Sequence, residues 1–251
     1  MLPFALVNEQ ADRFPPGFYP STYGASFADV YDSWYSGITD AEATARFMAA
    51  RCESASVVEL GVGTGRLVDA LQRAGLRVVG FDSSPDMLAA SSALAPMVTA
   101  DITALPLRTG ATVGGALCAF NTLFNLPTAG LQQKVLAEVA AVVAGPVVIE
   151  AMTGALLNEA ETQSVGVSRL TAESVVLAAT LVDHDAQTIT GQHVDIGPAG
   201  ITLRPWHLRW STPSQLDAMA TESGLELVER YADWEETPFE ESSEGHVSVY
   251  R

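Results

Sequence analysis

Short apolar runs alternate with helical stretches between about Phe27 and Met152. A helical pattern extends from about Phe27 to Cys52, with Thr39 and Asp40 as cap candidates, and the strand-type run "SVVEL" follows it. The later runs "RVVGF", "MVTA", "VGGALCAF" and "PVVIEAM" are separated by helical stretches, which include "TGRLVDALQRAG", "SPDMLAASSALA" and "GLQQKVLAEVAAVVAG". This alternation predicts a parallel sheet with helices on both of its faces.

After Met152 the pattern changes to an alternation with period two. "SVVLAATLVDHDAQTITGQHVDI" and "GITLRPWHLRWS" are rich in β-branched residues and are separated by turn signals. We therefore expect three or four antiparallel strands between about Gln163 and Trp210. A helix over "TPSQLDAMATESG" and two strands, "LELVERY" and "HVSVY", follow. The chain is thus predicted to be an α/β protein with a seven-stranded, mostly parallel sheet and an antiparallel insertion before the last helix.

These changes of pattern divide the chain into four predicted parts. Residues 1–39 form an N-terminal arm and cap, and residues 40–152 form the core that contains the main binding site. Residues 153–211 are the antiparallel insertion, and residues 212–251 complete the core with a helix and strands. The acidic stretch "DWEETPFEESSEG" in the last part is interpreted as a solvated loop.

The charge of the chain narrows the choice of partners. The formal net charge is -17, from 30 acidic and 13 basic residues. This balance argues against nucleic acid and against an anionic membrane, and it suits a cationic or amine-bearing ligand. Cys52 and Cys118 lie among apolar residues and are expected to be reduced thiols, with no metal motif in the sequence. We see no signal peptide and no bilayer-spanning stretch, and we expect a soluble, cytoplasmic protein.

The segment "VVELGVGTGRL" places three glycines at alternate positions after an apolar strand. Glycines in such a loop let the backbone approach a ligand closely, because no Cβ intervenes. A Walker A loop is excluded, since Arg66 and Leu67 stand where that motif needs lysine and a hydroxyl residue. A dinucleotide-binding loop is weakened but stays open, since the third glycine, Gly65, comes one residue early.

The same segment resembles the first motif of the class I S-adenosylmethionine-dependent methyltransferases, including the acidic residue two positions before the first glycine. The resemblance implies a Rossmann-like fold with S-adenosylmethionine as cofactor. In this family the acid at Asp82 binds the ribose hydroxyls, and the acid at Asp101 lies beside the adenine amino group. Glu59 would help to hold the cationic methionine end. The implied cofactor-binding residues are Tyr23, Tyr31, Glu59, Gly61, Gly63, Thr64, Gly65, Asp82, Ser83, Met87, Asp101, Ile102 and Phe120.

The resemblance extends beyond the core. "TYGASFADVYDSWYSG" is similar to the N-terminal segment of amino-sugar N-methyltransferases of antibiotic biosynthesis, in which two tyrosines eight residues apart reach the cofactor. Tyr23 and Tyr31 have this spacing, although aromatic residues of a capping helix would show it equally. "VERYADWEETPFEESSEGHVSVYR" resembles the ending of many actinobacterial small-molecule methyltransferases. The insertion would then be a lid or the surface of a homodimer.

Methyl transfer from a sulfonium is an in-line displacement that depends mainly on alignment, and an amine acceptor needs no obligatory base. His207 in "RPWHLRW" is the candidate catalytic base, although it would face solvent if the neighbouring tryptophans pack inward. His184 and His193 are interpreted as exposed hairpin residues and His246 as structural, and Glu150 could either meet substrate or bind backbone. The candidate substrate-binding residues, which follow the fourth strand, are Asn121, Phe124 and Asn125, although Phe120 and Phe124 could equally pack under that loop.

The sequence therefore predicts a methyltransferase that acts on a small molecule or a peptide. The preferred reaction is N-methylation of an amine, on an amino sugar or a peptide N-terminus. An O-methyltransferase of the same fold is the alternative enzyme. A noncatalytic protein that binds the cofactor as a sensor or partner subunit is the alternative outside enzymes.

Overall fold

The structure is a computed structural model that describes residues 14–35, 37–38, 40–107, 112–157 and 161–251. The first 13 residues of the expected arm and the cap candidate Thr39 lie outside these ranges. The helices are α1 Thr22–Phe27, α2 Tyr31–Tyr35, α3 Ala41–Arg51, α4 Val68–Arg73, α5 Pro85–Ala90, α6 Ala129–Ala140 and α7 Pro213–Glu222. The strands are β1 Ser56–Leu60, β2 Arg77–Asp82, β3 Met97–Thr99, β4 Gly115–Cys118, β5 Val147–Met152, β6 Gln163–Leu170, β7 Val175–Asp183, β8 Thr188–Gly197, β9 Gly200–Arg209, β10 Leu227–Tyr231 and β11 Gly245–Tyr250.

The main sheet has seven strands in the order β10-β11-β5-β4-β1-β2-β3. The pairs β1–β2, β2–β3, β1–β4 and β4–β5 are parallel, whereas β11 runs antiparallel to both of its neighbours. This confirms the predicted α/β class and the mostly parallel sheet. The strand order reverses beside β1, so a crevice opens at the carboxyl ends of β1, β2 and β4, where open α/β sheets bind ligands.

Alternate residues of β1 enter two different layers of the core. Val57 packs with Phe47 and Leu71 on one face of the sheet, whereas Val58 and Leu60 pack with the cluster on the other face. A strand that is buried on both faces is a nearly continuous apolar run, which is the pattern of "SVVEL". The helices on the two faces therefore hold β1 rigidly beneath the loop that follows it.

A second sheet contains the four antiparallel strands β6-β7-β8-β9, as the alternating pattern predicts. Arg204 in β9 joins this sheet to the N-terminal cap. Its guanidinium is buried and donates to the carboxylate of Asp29 at 2.6 Å and to the carbonyl of Ser26 at 2.6 Å. The cap and the second sheet therefore meet in front of the main sheet.

The first two helices after the glycine loop are shorter than the sequence pattern suggests. The helix expected from Thr64 begins only at Val68, because Gly65 has φ of +81° and the chain is still turning there. The helix expected over residues 84–95 ends at Ala90. Its start is as expected, since Ser84 is the N-cap and its hydroxyl accepts the Met87 amide at 3.3 Å.

The acidic stretch near the C-terminus is more than a solvated loop. Trp234 is buried, its ring meets that of Phe47 edge to face at 5.3 Å, and its indole donates to Glu150 at 2.9 Å. This corrects the sequence interpretation, since one aromatic residue attaches the loop to the core.

The cap helix α1 lies directly against the start of α5, because an added Cβ at Gly24 would collide with Ser84.

In the part of the chain that the structure describes, every helix is too short or too polar to cross a bilayer.

Candidate active site

A cavity of about 320 Å³ lies at the carboxyl edge of the main sheet, between that edge, the N-terminal cap and the second sheet. The loops after β1, β2, β3 and β4 supply its floor and one wall. The cap and the inner faces of β8 and β9 supply the remaining walls. The cavity thus occupies the position where a doubly wound sheet binds its ligand.

The three glycines of the loop after β1 are required for three different structural reasons. Gly61 has φ of +69°, and a Cβ there would collide with Thr122 of the loop after β4. Gly65 packs against Ala93 and Met97, with room for no side chain. Gly63, at φ of +56°, has no atom within 4 Å of the place where a Cβ would lie, and it lines the cavity. Gly63 is therefore the glycine whose missing side chain leaves space for a ligand.

The carboxylate of Asp82 ends β2 and is held by two backbone amides. The Gly63 amide donates to its Oδ2 at 2.9 Å, and the Ser84 amide donates to its Oδ1 at 2.8 Å. Burial raises the pKa of Asp82, while these amide hydrogen bonds act in the opposite direction. Each oxygen keeps a free lone pair toward the cavity, which is the requirement for accepting a pair of ribose hydroxyls.

Asp101 follows β3 and is fixed in a similar way. Its Oδ1 accepts from the amide of Thr103 at 2.8 Å and from the Thr103 hydroxyl at 2.7 Å. Among the described residues its Oδ2 has no such partner, and the side chain lines the cavity beside Ile102. An acceptor next to an apolar side chain suits the amino edge and the flat face of an adenine.

Glu59 lies beneath the glycine loop and is only 3% exposed. Its Oε2 has no hydrogen-bond partner in the described structure, and burial raises its pKa to about 8, with Arg66 opposing and Asp82 adding to the rise. An unpaired buried carboxylate is costly, and a cation that approached it would remove much of the cost. The amino group of a methionine moiety is such a cation.

Three tyrosines of the cap line the cavity, and Arg66 contacts two of them. The rings of Tyr23 and Tyr31 meet edge to face at 6.2 Å, and Arg66 lies 5.0 Å from the centre of the Tyr31 ring. Arg66 also donates to the carbonyl of Tyr35 at 3.1 Å. Burial is the main cause that raises the pKa of Tyr23 and of Tyr31, so both phenols stay protonated. Arg66, which stands where a dinucleotide motif has its third glycine, therefore holds the cap tyrosines in place.

The loop after β4 contains two consecutive residues with left-handed backbone, Phe120 at φ of 51° and Asn121 at φ of 59°. Such a conformation is costly for residues other than glycine, at about 1–3 kcal/mol each. Glu150 compensates by accepting the Phe120 amide at 2.7 Å, and the Asn121 side chain accepts the Met152 amide at 2.6 Å. Glu150 therefore binds backbone and shapes the cavity from behind.

The structure brings together most of the site residues predicted from the sequence. The predicted residues that line the cavity are Tyr23, Tyr31, Gly61, Gly63, Asp82, Ser83, Met87, Asp101, Ile102, Phe120, Asn121 and Asn125.

Four of the predicted binding residues lie elsewhere. Glu59 is under the loop, and Thr64 donates to Asp32 of α2 at 2.6 Å. Gly65 serves packing, as described above. Phe124 is fully buried in the core, so the structure corrects its nomination as a substrate contact.

The structure does not bring His207 to the cavity, which corrects its nomination as a base. Cross-strand pairing places His207 beside Thr190, with its Nδ1 at 2.9 Å from the threonine hydroxyl, on the face of the second sheet that turns away from the cavity. Trp206 lies on the inner face and lines the cavity, as the alternation allowed. His207 is nevertheless largely buried, with the ring of Phe18 at 6.0 Å, and does not face solvent.

Sequence reasoning missed the contribution of the second sheet. His193, expected as an exposed hairpin residue, is half-buried and lines the cavity beside Trp206 and Leu208. Period-two alternation identified two faces but not the inward one, so only the indole-bearing positions gave a signal. The other missed lining residues are Phe14, Pro20, Gly24, Tyr35, Ser84, Thr103, Thr122, Leu126 and Leu131.

Comparison with known proteins identifies the family. Residues 57–145 match a family model described as a methyltransferase domain. The CcbJ methyltransferase from Streptomyces caelestis is 35% identical in sequence, with a TM-score of 0.86 over 93% of this chain and 99% of that one. The search of curated proteins found no match. The chain belongs to the class I S-adenosylmethionine-dependent methyltransferases, and S-adenosylmethionine is its cofactor.

Two more distant structures show the same fold. CalS10, an amino pentose methyltransferase from Micromonospora echinaspora, is 20% identical, with a TM-score of 0.64 over 95% of this chain and 100% of that one. KedS8, a sugar N-methyltransferase from a Streptoalloteichus species, is 17% identical, with a TM-score of 0.67 over 88% and 92%. The cavity of the present chain fits S-adenosylmethionine, since it has an open glycine position and two strand-end carboxylates, with an unpaired buried acid beneath its glycine loop.

We predict that Asp82→Ala weakens binding of S-adenosylhomocysteine by about 1.5–3 kcal/mol, roughly 10- to 150-fold, because hydrogen bonds to a charged acceptor are lost. Calorimetric titration measures the change. Asp86→Ala, which removes an exposed carboxylate four residues further along the chain, is the matched control and should bind normally. Unchanged affinity in the Asp82 variant would remove this residue from the site.

We predict that S-adenosylhomocysteine binding at neutral pH releases about one proton from Glu59. A carboxyl group whose pKa is about 8 is mostly protonated at neutral pH, and the approaching amino group favours its carboxylate form. Affinity should therefore rise with pH and level off above about 8. Titrations in buffers of different ionisation enthalpy count the released proton.

Two controls isolate Glu59 in this measurement. The Glu59→Gln variant has no proton to release, and methylthioadenosine lacks the amino group that would displace it. Proton release that persists in either control would contradict the assignment of Glu59.

Proposed function

We propose that this methyltransferase N-methylates an amine of a small molecule, such as an amino sugar or a peptide N-terminus, in secondary metabolism. The observation that carries the proposal is the lack of a free general base among the described residues that line the cavity. An alcohol needs such a base to lose its proton, whereas an amine needs only to arrive unprotonated.

Each titratable lining residue is accounted for. Asp82 and Asp101 are bound to neighbouring amides or hydroxyls and face the cofactor end. A phenol is protonated at neutral pH, and burial raises the pKa of Tyr23 and Tyr31 further. The Nδ1 lone pair of His193 accepts from the indole of Trp206 at 3.1 Å and is not available to a substrate.

The acceptor's own charge supports the same choice. A phenol or an acid could react as its anion, but the chain carries a net charge of -17 and two carboxylates line the cavity. An amine, attracted as its ammonium form, enters this field favourably. CalS10 and KedS8, which share the fold, are an amino pentose methyltransferase and a sugar N-methyltransferase, and CalS10 acts in calicheamicin biosynthesis.

S-adenosylmethionine supplies an electrophilic methyl group, so the amine gains an N–C bond while the C–S bond breaks and its electron pair stays on sulfur. The chain's own residues align the acceptor and exclude water. Tyr23, Tyr31 and Tyr35 close the cavity from the cap, and Phe120 and Asn121 form its opposite edge. Such positioning can contribute roughly 7–11 kcal/mol to lowering the barrier.

A screen with matched acceptors tests the proposal. Glucosamine methyl glycoside is paired with glucose methyl glycoside, and triglycine with its N-acetyl form, while catechol represents acidic hydroxyls. We expect labelled-methyl transfer only to acceptors with a free amine, at a rate that rises with pH through the ionisation of the amine. Gly63→Leu, whose side chain enters the open glycine position, gives the background rate. Transfer to catechol or to the hydroxyl partners alone would overturn the proposal in favour of O-methylation.

We also propose that two copies of the chain associate through the outer face of the second sheet. Cross-strand pairing puts aliphatic side chains on this face, and the most exposed of them reach 73% and 74%. Four strands of about eight residues cover roughly 500 Å² of flat sheet. The projecting side chains add accessible surface, which brings the area toward the roughly 800 Å² that each partner buries in a standard interface. The side chains are Val165, Val167, Leu170, Leu181, Ile196, Ile201 and Leu203.

A second copy is the favoured occupant because the aliphatic part of this face carries no charge. The three paired rows that contain Val165, Val167 and Leu170 are uncharged across all four strands, in a chain whose net charge is -17, and Asp183 and Arg209 lie at the far end of the face. Two such faces can meet without opposing acids. A soluble monomer rarely exposes so large an apolar patch.

Analytical ultracentrifugation tests the association. The wild-type chain should sediment as a dimer, and Val167→Lys with Leu203→Lys should give a folded monomer. Thr202→Lys adds the same charge to the same strand on the opposite face and should leave the dimer intact. A monomeric wild-type chain would refute the association without affecting the proposed reaction.

A further inference from the structure

His193 lies in β8, on the wall of the cavity that the second sheet supplies. Its strand partner is Arg204 in β9, and Trp206 lies on the same inner face. The rings of Phe27 and Trp34 enclose it, each with its centre at 5.7 Å. None of the cofactor positions described above involves this residue, so it is free to contact an acceptor.

Trp206 determines which nitrogen of His193 carries the proton. An indole N–H can only donate, and that of Trp206 points at Nδ1 of His193 at 3.1 Å. Nδ1 must therefore hold a lone pair, and the proton of the neutral ring is on Nε2. The indole is itself fixed, because it lies across Gly191, where an added Cβ would collide with it.

The charged groups around His193 oppose its protonation. Burial lowers the pKa of His193, and the neighbouring Arg204 lowers it further. Asp29 from the cap and Asp195 from β8 both bind Arg204, at 2.6 Å and 3.4 Å, so their charges are matched there. A second proton on Nδ1 would also oppose the indole N–H. The ring is therefore held neutral, as a donor.

We propose that His193 determines acceptor specificity by donating a hydrogen bond from Nε2 to an oxygen atom of the acceptor molecule. Nε2 has no partner among the residues that the structure describes. An N–H donor binds a hydroxyl, ether or carbonyl oxygen and repels an ammonium, so His193 recognises a group beside the amine rather than the amine. The inference rests on the proposed amine function for the identity of the reacting atom only.

Proton–nitrogen NMR of the imidazole ring, in the protein saturated with S-adenosylhomocysteine, tests the first half of the proposal. We expect a protonated Nε2 and a bare Nδ1 in the wild-type chain, and a mixture of both forms in Trp206→Phe. A wild-type ring protonated on Nδ1, or on both nitrogens at neutral pH, would overturn the proposal. This measurement needs no acceptor and is independent of the reaction.

Two variants test the second half. His193→Gln keeps an N–H donor near the position of Nε2, and His193→Leu removes it. With glucosamine methyl glycoside, the leucine variant should raise KM about tenfold with kcat nearly unchanged, and the glutamine variant should stay close to wild type. With cyclohexylamine, which has no oxygen, both variants should behave as wild type. S-adenosylhomocysteine affinity, measured in parallel, should be the same for all three proteins.

The outcomes separate the two proposals. An equal loss for glucosamine methyl glycoside and cyclohexylamine would assign His193 a structural role and overturn the specificity proposal. If only hydroxyl acceptors are methylated, the amine function fails. In that case the two His193 variants are compared with whichever hydroxyl acceptor reacted, catechol or glucose methyl glycoside. A rise in KM is expected for the leucine variant alone.

Discussion

The hydrogen bond from the Gly63 amide to the Asp82 carboxylate is the interaction on which the rest of the site depends. It joins the loop after β1 to the end of β2 at 2.9 Å, and two further loop amides, from Gly61 and Val62, donate to the carbonyl of Phe81. The loop is thereby attached to the neighbouring strand before any ligand is bound. The empty space at Gly63, the free lone pairs of Asp82 and the burial of Glu59 all follow from this attachment.

Two layers of contacts close the cavity over that floor. Arg66 holds the cap tyrosines, and Arg204 holds the cap to the second sheet. Neither arginine is among the described lining residues, so the cavity has acidic, aromatic and neutral donor groups but no free cation in that part of its lining. This electrostatic arrangement favours a cationic acceptor over an anionic one.

The sequence was informative where chemistry is encoded in consecutive residues. The glycine loop and the strand-end acids were identified because each lies at a fixed distance from a strand that the apolar pattern reveals, and the tyrosine pair was identified by its eight-residue spacing. The inner face of the second sheet was not identified, because it depends on which side of a distant sheet turns inward. His193 and His207 were misjudged for this reason, although the alternation correctly placed His207 on the face opposite Trp206. Trp234 was missed because a single buried aromatic leaves no periodic signal in an acidic stretch.

The two carboxylate oxygens of Glu150 serve different parts of the chain. One accepts the amide of Phe120 at the cavity edge, and the other accepts the indole of Trp234 in the C-terminal loop. The described lining residues end at Leu208, yet this loop is only one side chain away from the left-handed turn that shapes the acceptor end. The C-terminal loop is thus coupled to the cavity through one carboxylate, so a change at Trp234 acts on the backbone of Phe120 without altering any described residue that lines the cavity.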